Sequence, residues 1–94
     1  MDRLSSIQIE NLLGKLSGWE RDGHAIRKSY SFKDYYQTIA FVNAIAWISH
    51  REDHHPDLYV TYNTCRIEYS THSAGGLTEK DFSCAAQVDA LFKP

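Results

Sequence analysis

Residues 33–56, KDYYQTIAFVNAIAWISHREDHHP, decide how the chain folds. No glycine or proline interrupts them before Pro56, and Tyr35, Ile39, Val42, Ile45 and Ala46 recur at helical spacing. The pattern predicts one long helix from about Lys33 to Glu52, about 30 Å at 1.5 Å per residue. Phe41, Trp47 and Ile48 widen its apolar surface beyond a single stripe. A helix that is apolar nearly all round is buried on more than one side, and in 94 residues that second side is expected to be another subunit. Pro56 stops the helix. Because proline drives the preceding residue out of helical conformation, His55 is expected to leave the helix while His54 occupies its last turn.

On the C-terminal side, Leu58, Val60 and Tyr62 alternate with Tyr59 and Thr61 up to a turn at Asn63-Thr64. Cys65, Ile67, Tyr69 and Thr71 then alternate with Arg66, Glu68, Ser70 and His72, which predicts a hairpin that Gly75-Gly76 breaks. Thr78 and Asp81 have capping-box spacing, with Leu77 and Phe82 at the staple positions. A last helix follows on Ala85, Ala86, Val88, Leu91 and Phe92. On the N-terminal side, Asp22-Gly23 suits the positive φ angles of a tight hairpin turn between strands over 19–22 and 24–32. Ile26, Tyr30 and Phe32 share one strand face with Lys28. Ahead of that hairpin, Ser5 and Gln8 form another capping box, opening a first helix on Leu4, Ile7, Leu12, Leu13 and Leu16. Gly18 ends this element. The order α-β-β-α-β-β-α is that of an α+β domain with helices on an antiparallel sheet, one unit over residues 1–94.

Lys+Arg 10 against Asp+Glu 12 leaves a net charge of −2, which argues against direct nucleic-acid binding. The longest apolar run, Ile39 to Ile48, is broken by Asn43 and is far short of the roughly 20 residues that span a bilayer. No membrane role is expected. Cys65 and Cys84 are too few for a disulfide framework, and no signal-like N-terminus precedes them, so a cytoplasmic location is expected. Both cysteines fall in register with core residues, which favours packing over nucleophilic catalysis.

Five histidines in so short a chain stand out. His54, His55 and His72 fall at an element junction and a strand end, where they could border a cleft. Imidazole, with a pKa of about 6.5, can give or take a proton near neutrality. Capping or surface roles compete with that reading, and for His24 a surface role is favoured. A metal site is the sharper rival, because His50 and His54 have the four-residue spacing of helical zinc motifs. That motif needs glutamate directly after the first histidine, and here the residue is Arg51. No metal is expected.

Glu52-Asp53-His54-His55-Pro56, followed by Tyr62, His72 and Asp81, resembles the signature of the pterin-4a-carbinolamine dehydratases. Phe41-Val42-Asn43, Leu77-Thr78-Glu79-Lys80-Asp81 and Trp19 ahead of the Asp-Gly turn are also typical, so the resemblance spans essentially the whole chain. It implies a four-stranded antiparallel sheet with three helices on one face. It also implies dehydration of 4a-hydroxytetrahydropterin to quinonoid dihydropterin without metal or organic cofactor, which recycles the pterin of aromatic amino acid hydroxylases. By this resemblance His54, His55 and His72 are the catalytic candidates. We expect His54 and His72 to act as acid and base toward the 4a-hydroxyl, with His55 mainly binding and orienting the pterin. Asp81, Glu52 and Asp53 are candidate substrate-binding or supporting residues, Asp81 having a competing role as capping partner of Thr78.

One place departs from several relatives, which carry an acidic residue one helical turn before the first histidine of the pair; here it is His50. The expected assembly is a homodimer or homotetramer. The resemblance leaves open a member with little dehydratase activity, either pterin-binding in molybdopterin metabolism or protein-binding as a dimerisation cofactor for a transcription factor.

Overall fold

The computed structural model describes residues 2–91, so Phe92, expected in the last helix, lies outside the described residues. Helix α1 (Ser6–Leu13) starts at Ser5, whose hydroxyl accepts from the Gln8 amide while the Gln8 side chain accepts from the Ser5 amide. The residue it buries is Ile9, whereas Ile7 is exposed. The expected stripe therefore had the wrong phase at that position. Strands β1 (Glu20–Asp22) and β2 (Ala25–Ser31) flank Gly23, which takes φ +62° in the turn.

Helix α2 (Tyr35–Glu52) begins at Asp34, whose carboxylate accepts the Gln37 amide at 2.9 Å. Strands β3 (Asp57–Val60) and β4 (Thr64–Tyr69) form the second hairpin, and helix α3 (Glu79–Ala90) ends the described chain. The sheet order is β1-β2-β4-β3, antiparallel throughout. This is the expected α-β-β-α-β-β-α order and four-stranded sheet, with one short 3-10 turn added over His72–Ala74.

Alternation along the central strands produces the core. Ile26 and Tyr30 of β2 and Cys65, Ile67 and Tyr69 of β4 are buried with Ile45 and Ile48 of α2 and Ala85 and Val88 of α3. On α2 the burial is confined to one stripe, Thr38, Phe41, Ile45, Ile48 and Ser49, while Tyr36 and Trp47 stand exposed. No helix among the described residues is long and apolar enough to cross a membrane.

Lys28, a cation on the apolar face of β2, is reconciled by Asp89 of α3. That carboxylate accepts from Lys28 Nζ at 2.8 Å and Trp19 Nε1 at 3.0 Å, and also from the Tyr30 hydroxyl. Asp89→Ala would remove an acceptor shared by Trp19, Tyr30 and Lys28, the last of which keeps the Ser17 carbonyl at 2.7 Å; a buried donor left unsatisfied costs about 1–3 kcal/mol. With water reaching the site, a net loss of about 2–4 kcal/mol is expected in urea unfolding. A change below about 0.5 kcal/mol, the range of ordinary surface substitutions, would overturn this account.

Burial pushes the Cys84 thiol up to about 11 and raises the Cys65 thiol and the Tyr30 and Tyr69 phenols as well. In each case the folded state favours the neutral form. The stability due to Cys84 is thus complete below the thiol's ordinary value near 9 and is lost as pH climbs toward about 11. At about 1.4 kcal/mol per pH unit this amounts to roughly 2–3 kcal/mol from Cys84. Urea midpoints at pH 8 and pH 11 should fall accordingly, and less steeply in Cys84→Ala.

Candidate active site

The site begins with how α2 ends. Asp53 adopts the left-handed conformation (φ 49°, ψ 46°), and the amides of Asp53 and His54 turn back to the His50 and Ser49 carbonyls. Aspartate tolerates this conformation better than most side chains. His54 consequently lies beyond the helix rather than in its last turn, which corrects the expected placement. The shared His50–His54 face is broken as well: His50 stays on α2 and is exposed beside the Trp47 ring. Among the described residues no group of three or more His, Cys, Asp or Glu is arranged to hold a metal ion.

Turned inward, the His54 ring stacks on Tyr69 of β4, with centroids 5.7 Å apart and planes 8° from parallel. Its Nε2 lies 2.5 Å from Asp81 Oδ1. Asp81, the third residue of α3, is fully buried, and its Oδ2 accepts the Thr78 amide at 2.9 Å and the Thr71 hydroxyl at 2.8 Å. The capping role and the contact with a histidine are therefore both present, on different carboxylate oxygens. With Asp81 Oδ1 as the acceptor, Nε2 is the ring's donor, and in the neutral ring Nδ1 is then the acceptor. A carboxylate partner of this kind fixes tautomer and ring orientation.

Thr71 links this network to His72. Its backbone pairs with Gly76 in both directions, at 3.0 and 3.4 Å. This closes a short loop with Gly75 at φ +71°, from which His72 stands exposed. The β3–β4 register, with Asp57 opposite Glu68, brings the exposed His55 in beside the end of β4, just before Thr71 and His72. The His54–His55 segment and the loop that carries His72 thus lie at the same end of the hairpin. Glu52 instead pairs with Arg51 at 3.3 Å and Asp53 is exposed at the cap, so neither joins the network.

Two contributors escape a reading by pattern. Tyr69 follows strict core alternation and gives no sign that a histidine will cover it. His24 is exposed on the hairpin as expected, yet it lines a recess of about 340 Å³ together with Thr71, His72 and Gly76. Its position depends on β2 lying beside β4, which local spacing does not encode.

A family model described as pterin 4 alpha carbinolamine dehydratase matches residues 2–91. The chain belongs to that family. The pterin-4-alpha-carbinolamine dehydratases are hydro-lyases. One relative, from Nitrosospira multiformis, is 60% identical over 93 residues, covering 99% of this chain and 82% of its own. Another, from Xanthomonas campestris pv. campestris, is 53% identical over 92 residues, covering 96% and 78%. Both carry the name "Putative pterin-4-alpha-carbinolamine dehydratase". A solved transcriptional coactivator/pterin dehydratase from Brucella melitensis superimposes with TM-score 0.94 at 31% identity, over 98% of this chain and 100% of that one. A pterin dehydratase-like RuBisCO assembly factor of the alpha-carboxysome matches with TM-score 0.64 at 28% identity, over 78% and 84%.

Proposed function

We infer that this chain, acting as a single domain, dehydrates 4a-hydroxytetrahydropterin by histidine acid–base catalysis. The observation that carries the reading is the 2.5 Å contact between His54 Nε2 and buried Asp81. It commits one ring nitrogen and leaves Nδ1 for substrate. In the reaction the C4a–O bond breaks, the N5 proton leaves, and the C4a=N5 double bond of the quinonoid product forms as water departs. One group must protonate the leaving hydroxyl and another must accept the N5 proton. His54 and His72 take these two roles, and His55 at the rim binds and orients the ring. The proposed place in metabolism is recycling of a hydroxylase's pterin in the cytoplasm, in keeping with two buried free thiols. A direct assay on enzymically generated 4a-hydroxytetrahydropterin, with and without EDTA, tests the reading. Turnover no faster than the spontaneous reaction would overturn it.

A second role is favoured by the exposed Tyr36 and Trp47 of α2, at 83% and 60% accessibility. A homodimer or homotetramer would bury this face, and light scattering of the purified chain reads the assembly directly. A strictly monomeric protein would instead favour a separate protein partner, the kind of role named for the coactivator and assembly-factor neighbours.

A further inference from the structure

We propose that Arg3, Arg21 and His24 form a subsite for an anionic 6-substituent of the pterin, one ending in phosphate or carboxylate. The inference rests on the pterin reading above and names the class of substrate that the same site prefers.

The three side chains line a recess of about 310 Å³ beside the start of α1, together with Ser5, Ser6 and Gly76. Arg27, Arg51, Arg66 and Lys28 each have a carboxylate partner. Among the described residues Arg3 and Arg21 have none, although the chain carries a net charge of −2. Two guanidinium groups without a carboxylate partner therefore face one recess.

Both are tethered by neutral acceptors. Arg21 donates to the Gly23 carbonyl at 3.0 Å and the Ser6 hydroxyl at 3.4 Å, and Arg3 donates to the Gly75 carbonyl at 3.4 Å. A guanidinium has five N–H donors, so each keeps several for a ligand. Its fork matches phosphate and carboxylate oxygens two at a time. The first turn of α1 contains no acidic residue to compete.

This recess adjoins the one at His72, because His24 and Gly76 line both. At Gly76 a Cβ would come within 2.7 Å of Arg3 Cδ and 3.6 Å of His24 Nδ1. The bare backbone lets Arg3 lie across the boundary between the two spaces. A pterin ring held at His72 can therefore send its substituent over Gly76 to the arginines.

The test compares 4a-hydroxytetrahydropterins bearing a 6-methyl group, a phosphate-terminated tail or a carboxylate-terminated tail. The wild-type chain should show a KM about tenfold lower for at least one anionic tail than for 6-methyl, the worth of one good charge-assisted contact. That ratio should collapse toward unity in Arg3→Gln/Arg21→Gln, survive largely in Arg21→Lys, and shrink as salt rises. Whichever anionic arm shows the advantage identifies the terminal group. A wild-type ratio of one, or a ratio that the double variant leaves intact, would overturn the proposal.

Calorimetry with the stable oxidised ligands, pterin-6-carboxylate against 6-methylpterin, reads the same ratio without turnover and on any variant that melts cooperatively. An inactive chain with an arginine-dependent preference would sink the dehydratase reading alone. An active chain without the preference would sink the subsite alone. Inorganic phosphate should compete with the anionic tails and not with 6-methyl; equal competition against both would remove the tail assignment.

Discussion

Asp81→Ala is expected to lower stability by about 3–5 kcal/mol and to abolish most turnover, because one fully buried carboxylate serves three partners. The Thr78 amide and His54 Nε2 would then face a cavity that offers no acceptor, at about 1–3 kcal/mol for each donor left unsatisfied, while the Thr71 hydroxyl keeps the Thr78 hydroxyl at 2.9 Å. Asp81→Asn separates structure from chemistry. The amide oxygen can keep the two threonine contacts if its NH₂ faces His54, but that orientation demands an acceptor at Nε2. The imidazole must then carry its proton on Nδ1, the nitrogen that the proposed mechanism assigns to substrate. A fall in kcat of about 100-fold or more, with a stability loss well short of the alanine variant, is the expected signature. Urea unfolding and dehydratase kinetics measure the two effects. Wild-type kcat in Asp81→Asn would refute the role given to the His54–Asp81 pair.

His54→Ala and His72→Ala should each reduce kcat by about 10²- to 10⁴-fold, the range for removing a positioned acid or base. Their structural consequences should differ. His54 is mostly enclosed and its loss leaves Asp81 with two donors in place of three, so destabilisation accompanies inactivation. His72 is exposed on its loop, and its removal should change stability by no more than about 0.5 kcal/mol. If both act in one concerted proton transfer, the double variant should lose less than the product of the single effects. His55→Ala should act mainly on KM. Full turnover in His72→Ala would remove that residue from the mechanism.

Much of this architecture was legible because it is local. Capping at Ser5 and Thr78, the Asp-Gly turn and the alternation of Cys65, Ile67 and Tyr69 are short-range signals that the tertiary structure leaves intact. The helix end at Asp53 was less legible. Proline biases only the residue before it, whereas the actual stop is set two residues earlier by a left-handed aspartate. The apolar breadth of α2 was visible, but spacing does not say which side the sheet will cover. Asp81 was ambiguous because its capping geometry uses one oxygen and leaves the other's partner undetermined. Arg3, Arg21 and His24 carry no motif, being 18 residues apart in sequence between the first two (Arg3 and Arg21). They meet because α1 and the first hairpin pack beside the Thr71–Gly76 loop.

The central seam between β2 and β4 also governs timing. Each hairpin joins near neighbours and can form within about 1–10 μs, but the seam pairs Ile26 with Tyr69 and Ser31 with Thr64, residues separated by the whole of α2 and the second hairpin's first strand. Closing so long a loop pays its entropy before any contact rewards it. Tyr69, which supports His54, is fixed only when that seam zips. The setting of His54 is thereby tied to formation of the long-range seam, and amides of β4 should exchange with solvent only through global opening.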